Sequence, residues 1–167
     1  EAELYYKKVA ELVPENPQIH HKLGALYQRQ GRWQEAIEQF KKAIELDPNY
    51  FPSYNNLANC YLQMNRCKEA IRLYREASLL DEGNYLYYYR LAKLMFEYEN
   101  KPEAAKKTAQ KAVELNPKYP DGYLLLGRIF RELGQTSAAI AKFRQGLEIA
   151  PSNKELNKEL KRAKKGK

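Results

Sequence analysis

Residues 23–48 read LGALYQRQGRWQEAIEQFKKAIELDP. Two amphipathic helices and a tight turn account for the pattern. The first helix places Leu23, Gly24 and Tyr27 on one face, and the second places Ala36, Phe40, Ala43 and Leu46 on one face. Gly31 punctuates between them, and Asp47-Pro48 stops the second. Nearly every slot returns about 34 residues later, so the stretch is one copy of a repeating unit.

The register is consistent along the chain. Leu23, Leu57, Leu91 and Leu126 are spaced 34, 34 and 35 apart, and each is followed by a small residue: Gly24, Ala58, Ala92 or Gly127. Tyr27, Tyr61, Met95 and Phe130 follow three positions on, then Ala36, Ala70, Ala105 and Ala139. A large ring comes next at Phe40, Tyr74 and Phe143, with Ala109 as the exception. Pro48, Pro117 and Pro151 close three units, and Glu82 takes that slot in the other. Running the register backwards aligns Ala2 with Ala36, Tyr6 with Phe40 and Pro14 with Pro48.

The expected organisation is therefore the second helix of a partial unit at 1–16, then units at 17–50, 51–84, 85–119 and 120–153. A capping helix and basic tail follow at 154–167. The one extra residue of the third unit falls in the turn FEYENKPEA, where Pro102 suits the first turn of a helix. The ring missing at Ala109 predicts looser packing in that hairpin. A Gly or Ala on the first helix facing an Ala on the second lets the axes approach closely, and rings fill the space between hairpins. One hairpin cannot bury its apolar face alone, so hairpins stack.

Leu-Gly-x-x-Tyr, then Ala, Phe, Ala and Pro at this period, resembles the tetratricopeptide repeat family over essentially the whole chain. The resemblance implies an all-α, right-handed α-solenoid of antiparallel helix pairs with a C-terminal capping helix. Two departures are His20, at a slot where Tyr54, Tyr88 and Tyr123 keep the family's aromatic, and Ala109.

Composition restricts the function classes. Charged residues are 30% and hydrophobic ones 44%, and no apolar run approaches the ~18 residues of a membrane span. The N-terminus lacks the apolar core of a signal peptide, and a cytoplasmic location is expected. The chain starts in mid-unit and without Met, which reads as a processed product or an excised piece, with further repeats or a catalytic domain open as preceding segments. Residues 154–167 hold seven Lys/Arg against two Glu, so +5 of the net +8 lies in the tail. Two cysteines, Cys60 and Cys67, make no disulfide framework and read as free thiols in the packing.

Catalytic constellations are not evident. His20 and His21 are adjacent, and on a helix they point in different directions, so they make no joint metal site. No phosphate-cradling Gly loop or nucleophile elbow occurs. We expect no enzyme, no metal and no cofactor. Glu35 and Glu38 sit near Lys41 and Lys42 as ordinary helix-surface pairs. Most of the 14 tyrosines fill repeated packing slots; Tyr89 does not.

In this family the first helices line a concave groove that holds a peptide or partner helix. The resemblance implies groove-facing positions at His21 in the first unit, and at Asn55, Asn56, Asn59 and Gln63 in the second. It adds Tyr89, Arg90 and Lys93 in the third, and Arg128 and Arg131 in the fourth. Amides donate and accept, which suits the backbone of an extended peptide. Clustered cations suit a carboxylate. The family's chaperone-tail clamp is not matched: its slots read His21, Ala25, Asn56, Leu86 and Arg90, and two of five agree. The Asn ladder of the sugar-transferase branch also fails, reading Lys22, Asn56, Arg90 and Leu125.

The expected function is a protein–protein interaction scaffold whose partner is an acidic or C-terminal carboxylate segment. Three other readings are self-association through the exposed face of residues 1–16, an assembly or targeting segment of a larger enzyme, and nucleic-acid or acidic-surface binding through Lys161, Arg162, Lys164, Lys165 and Lys167. The last is disfavoured because no aromatic interleaves the tail.

Overall fold

The computed structural model describes residues 1–166, which form ten helices and no strand. In chain order these are α1 (Ala2–Leu12), α2 (Pro17–Arg29), α3 (Trp33–Leu46), α4 (Phe51–Gln63), α5 (Cys67–Leu80), α6 (Tyr85–Glu97), α7 (Pro102–Leu115), α8 (Pro120–Glu132), α9 (Thr136–Ile149) and α10 (Lys154–Lys165). They form two compact units, Glu1–Asp81 with α1 to α5 and Glu82–Lys167 with α6 to α10. The fold is the all-α stack of helical hairpins expected from the repeat. Lys167, named above with the basic tail, lies outside the described residues.

The sequence sets the helix ends. Pro17, Pro52, Pro102 and Pro120 occupy first turns, where their missing N–H removes no helical hydrogen bond. Asn16, Asn84 and Asn153 cap α2, α6 and α10 by accepting from backbone N–H groups of the first turn. The turn between paired helices needs one left-handed residue. Gly31 and Gly134 supply it at φ 72°, and Asn65 and Asn100 at 57° and 51°. The α6–α7 turn is one residue longer than the others, yet α6 keeps the 13 residues of α2 and α7 the 14 of α3.

Within the first unit α1 packs on α2, α2 on α3, α3 on α4 and α4 on α5. Within the second, α6 packs on α7, α7 on α8, α8 on α9, and α10 on both α9 and α8. The small residues set the hairpin spacing. A Cβ on Gly24 would lie 2.8 Å from the Phe40 ring, and one on Gly127 2.2 Å from the Phe143 ring. In the third hairpin Ala92 and Ala109 are both buried.

His20 proves to do what the tyrosines do. The Tyr54 hydroxyl donates to the Pro48 carbonyl at 2.9 Å, and the Tyr123 hydroxyl donates to the Pro117 carbonyl at 3.1 Å. His20 Nε2 lies 2.8 Å from the Pro14 carbonyl, again six residues back. Asn157 donates to the Pro151 carbonyl at 3.2 Å. The slot requires a donor of the right reach, and an aromatic ring is one way to provide it. Asn157 shows that α10 begins as the first helix of a further unit.

Candidate functional site

In the first unit the candidate residues divide by burial. His21, on α2, is half-buried and hydrogen-bonded to the Ser53 hydroxyl at 3.1 Å. Its ring lies 5.4 Å from Phe40 and 5.3 Å from Tyr50, and burial lowers its pKa. It is largely a packing residue. Asn55, Asn59 and Gln63 are exposed on α4, and Asn56 is half-buried. Asn55 Oδ1 accepts from the Tyr74 hydroxyl at 2.7 Å, which fixes the amide and leaves its NH2 outward.

In the second unit Tyr89 also packs. Its ring meets Tyr119 at 5.1 Å, and Tyr119 meets Tyr85 at 4.9 Å. Burial raises the phenol pKa of both Tyr89 and Tyr119. Tyr89–Tyr119 repeats the His21–Tyr50 contact two repeats along, a pairing visible in the sequence only once the phase is known. A small cleft of about 60 Å³ lies between α6 and α8, and it brings together Tyr89, Lys93, Phe96, Glu97, Leu124 and Arg128. Its lining mixes the apolar Phe96 and Leu124 with side chains of both charge signs.

The cations of this unit have unequal freedom. Lys93 Nζ lies 4.0 Å from Glu97, one turn away. Arg128 and Arg131 are engaged by α10. Arg128 bonds Glu155 at 2.5 Å and lies 3.5 Å from Glu159, while Arg131 pairs with Glu159. Glu159 is only 2% exposed. The carboxylates expected from a partner are thus supplied by the chain itself. Arg90 differs, because its Nε is buried with no hydrogen-bond partner and its guanidinium stands 5.9 Å from the Tyr89 ring centre. The first unit has eleven Lys/Arg against eleven Asp/Glu, so the second, with eighteen against ten, carries the whole net charge.

Elsewhere the charges are structural. Glu35 pairs with Arg32 instead of with Lys41 or Lys42, and Arg32 also reaches Glu3 of α1 at 2.9 Å and stacks 4.2 Å from the Tyr27 ring. The Arg32 hydrogen bond holds the Glu35 carboxyl below its usual pKa. Cys60 is buried and Cys67 half-buried, both as free thiols, and burial pushes the Cys60 pKa up to about 11. Among the described residues no group of three or more His, Cys, Asp or Glu is placed to hold a metal, and no helix is long and apolar enough to cross a membrane.

Comparison with known proteins follows the same lines. Residues 15–82 match one family model described as Tetratricopeptide repeat, and residues 55–120 and 96–154 match a second with the same description. No curated protein sequence matches. The crystal structure of MamA protein is similar at 25% identity and TM-score 0.78, covering 92% of this chain and 83% of that one. MamA 41-end from Desulfovibrio magneticus RS-1 is similar at 23% identity and TM-score 0.75, covering 92% and 86%. YrrB, described as a TPR protein with an unusual peptide-binding site, is similar at 22% identity and TM-score 0.73, covering 95% and 81%.

Proposed function

The chain belongs to the tetratricopeptide repeat family, and from that premise we propose that this protein–protein interaction scaffold takes an acidic partner segment on the first helices of its hairpins. Arg90 carries the reading. Its buried Nε has no acceptor and its guanidinium makes no ion pair with a described residue, so the remaining N–H groups are left for a partner carboxylate. Lys93 and the Phe96–Leu124 cleft beside Tyr89 would seat the adjoining side chain. The first unit, by itself, offers Asn55, Asn56, Asn59 and Gln63, whose amides would hold the backbone of a separate extended segment. YrrB, alike in fold, is described as having a peptide-binding site, which is consistent with this use of the fold.

The test uses Arg90→Glu and Lys93→Glu. Arg128 and Arg131 are unsuitable, because their reversal would also loosen α10. Partners captured by the wild-type chain and identified by mass spectrometry are titrated against each variant, with helicity checked by circular dichroism. Loss of binding at unchanged helicity supports the reading. Undiminished binding by Arg90→Glu removes the site.

A second reading is self-association through α1, favoured by Leu4, Tyr5 and Leu12, which are 60, 63 and 81% exposed. Light scattering against concentration, with Leu12→Glu as the control, decides it.

A further inference from the structure

The second unit shows what its cation pair accepts. Arg128 and Arg131, three residues apart on α8, hold Glu155 and Glu159, four residues apart on α10. One period of 34 residues after Arg128 and Arg131 come Arg162 and Lys165. They occupy the same two slots of α10, which itself begins as the first helix of a further unit. The cation pair is therefore repeated one period further on, two helices along the chain.

The second pair is open. Leu156, Glu159 and Ala163 turn α10 inward, with Leu156 packed over Gly146. Arg162, 59% exposed, is 3.5 Å from Glu159, a carboxylate that Arg131 already engages. Lys165 is exposed and makes no ion pair with a described residue. Both line a surface concavity of about 480 Å³ with Lys154, Lys158 and Lys161. Among the described residues the acids that pair with this group are Glu155, already held by Arg128, and Glu159, already engaged by Arg131.

We propose that the outer face of α10 docks a helix of a partner protein that bears two acidic residues one turn apart, as α10 itself docks on α8. The site is distinct from the Arg90 surface, so either can fail alone. Lys161 narrows the partner further. It takes the slot held by Gly24 and Gly127, where a ring from the neighbouring helix approaches too closely for even a Cβ. A lysine there excludes an aromatic second helix of the repeat type and favours a carboxylate. The absence of exposed aromatic rings on α10 gives no platform for stacking single-stranded bases. Duplex nucleic acid is the competing polyanion.

The experiment measures fluorescence anisotropy of an alanine-based helical peptide of about 16 residues carrying two Glu-x-x-x-Glu turns. Controls are an isomer with its glutamates on alternate residues and a labelled DNA duplex. Arg162→Glu/Lys165→Glu should weaken the first peptide about tenfold or more, on the strength of two charge-assisted contacts. Lys161→Glu/Lys165→Glu should do the same while leaving the Arg162–Glu159 contact intact, which separates lost binding from a disturbed α10. Arg90→Glu should leave this affinity unchanged. Equal affinity for the two peptide isomers, or tighter binding of the duplex than of the matched peptide, overturns the proposal.

Discussion

Glu159→Gln tests whether the buried carboxylate locks α10 onto the second unit. The side chain is almost wholly buried and faces three guanidiniums: Arg131 in direct contact, and Arg128 and Arg162 at 3.5 Å each. Glutamine keeps the volume and one acceptor oxygen, so the packing of Leu156 and Ala163 should survive. What is lost is charge. An ion pair with a partly exposed arginine contributes up to about 1 kcal/mol, and glutamine keeps none of the three. The three arginine side chains are 34, 40 and 59% exposed and recover hydration when freed. That recovery reduces a gross loss of about 3 kcal/mol to a net of about 2 kcal/mol. Because stability in a repeat stack is local, the cost should appear as opening of α10 and not as global unfolding. Amide hydrogen exchange should show protection of residues 156–163 falling about 30-fold, with α2 and α3 unchanged. In an Arg131→Gln background the same change should cost less, since the two groups share one interaction. Unchanged protection in α10, or an equal loss in both units, would refute the argument.

Two further outcomes follow from the geometry. Gly127→Ala should destabilise the fourth hairpin by about 1–3 kcal/mol and lower the melting temperature more than Gly24→Ala, because the new Cβ meets Phe143 at 2.2 Å but Phe40 at 2.8 Å. Burial lowers the folded pKa of His21 below the unfolded value of about 6.5, so the unfolded chain binds the proton more readily. Stability is then complete above pH ~6.5 and declines as pH falls from there towards the folded pKa. Melting curves between about pH 7.5 and 5 should show the decline, and His21→Gln should flatten it.

The fold was legible because packing is periodic and packing residues are restrictive. Only small residues satisfy the Gly24 and Gly127 approaches, so the pattern survives in the letters. The role of His20 was legible only as a departure, since sequence comparison by residue type reads the slot as aromatic. The structure defines it as a donor six residues after a carbonyl, a role that imidazole, phenol and carboxamide all fill. Tyr89 looked free for a similar reason: its partner Tyr119 belongs to the linker after the next helix.

The candidate site was harder to read because charge carries no address. Arg128 and Arg131 were recognisable as a groove cation pair, but nothing local names their partner, which lies 27 and 28 residues later. The signal was present in phase: glutamates in the second and sixth slots of α10 face cations in the ninth and twelfth slots of α8. That rule changes what the basic tail means. Counted as residues, it is a solvated run of lysines with no aromatic among them. Placed in register, Arg162 and Lys165 hold slots for which α8 has already shown the complement. The Arg90 surface and the α10 face thus differ in kind, the first defined by an unsatisfied donor and the second by a repeated, satisfied example. Only the second specifies the spacing of the acids it should recognise. A change from Glu-x-x-x-Glu to alternate glutamates should therefore discriminate at α10 and not at Arg90, where a single carboxylate suffices.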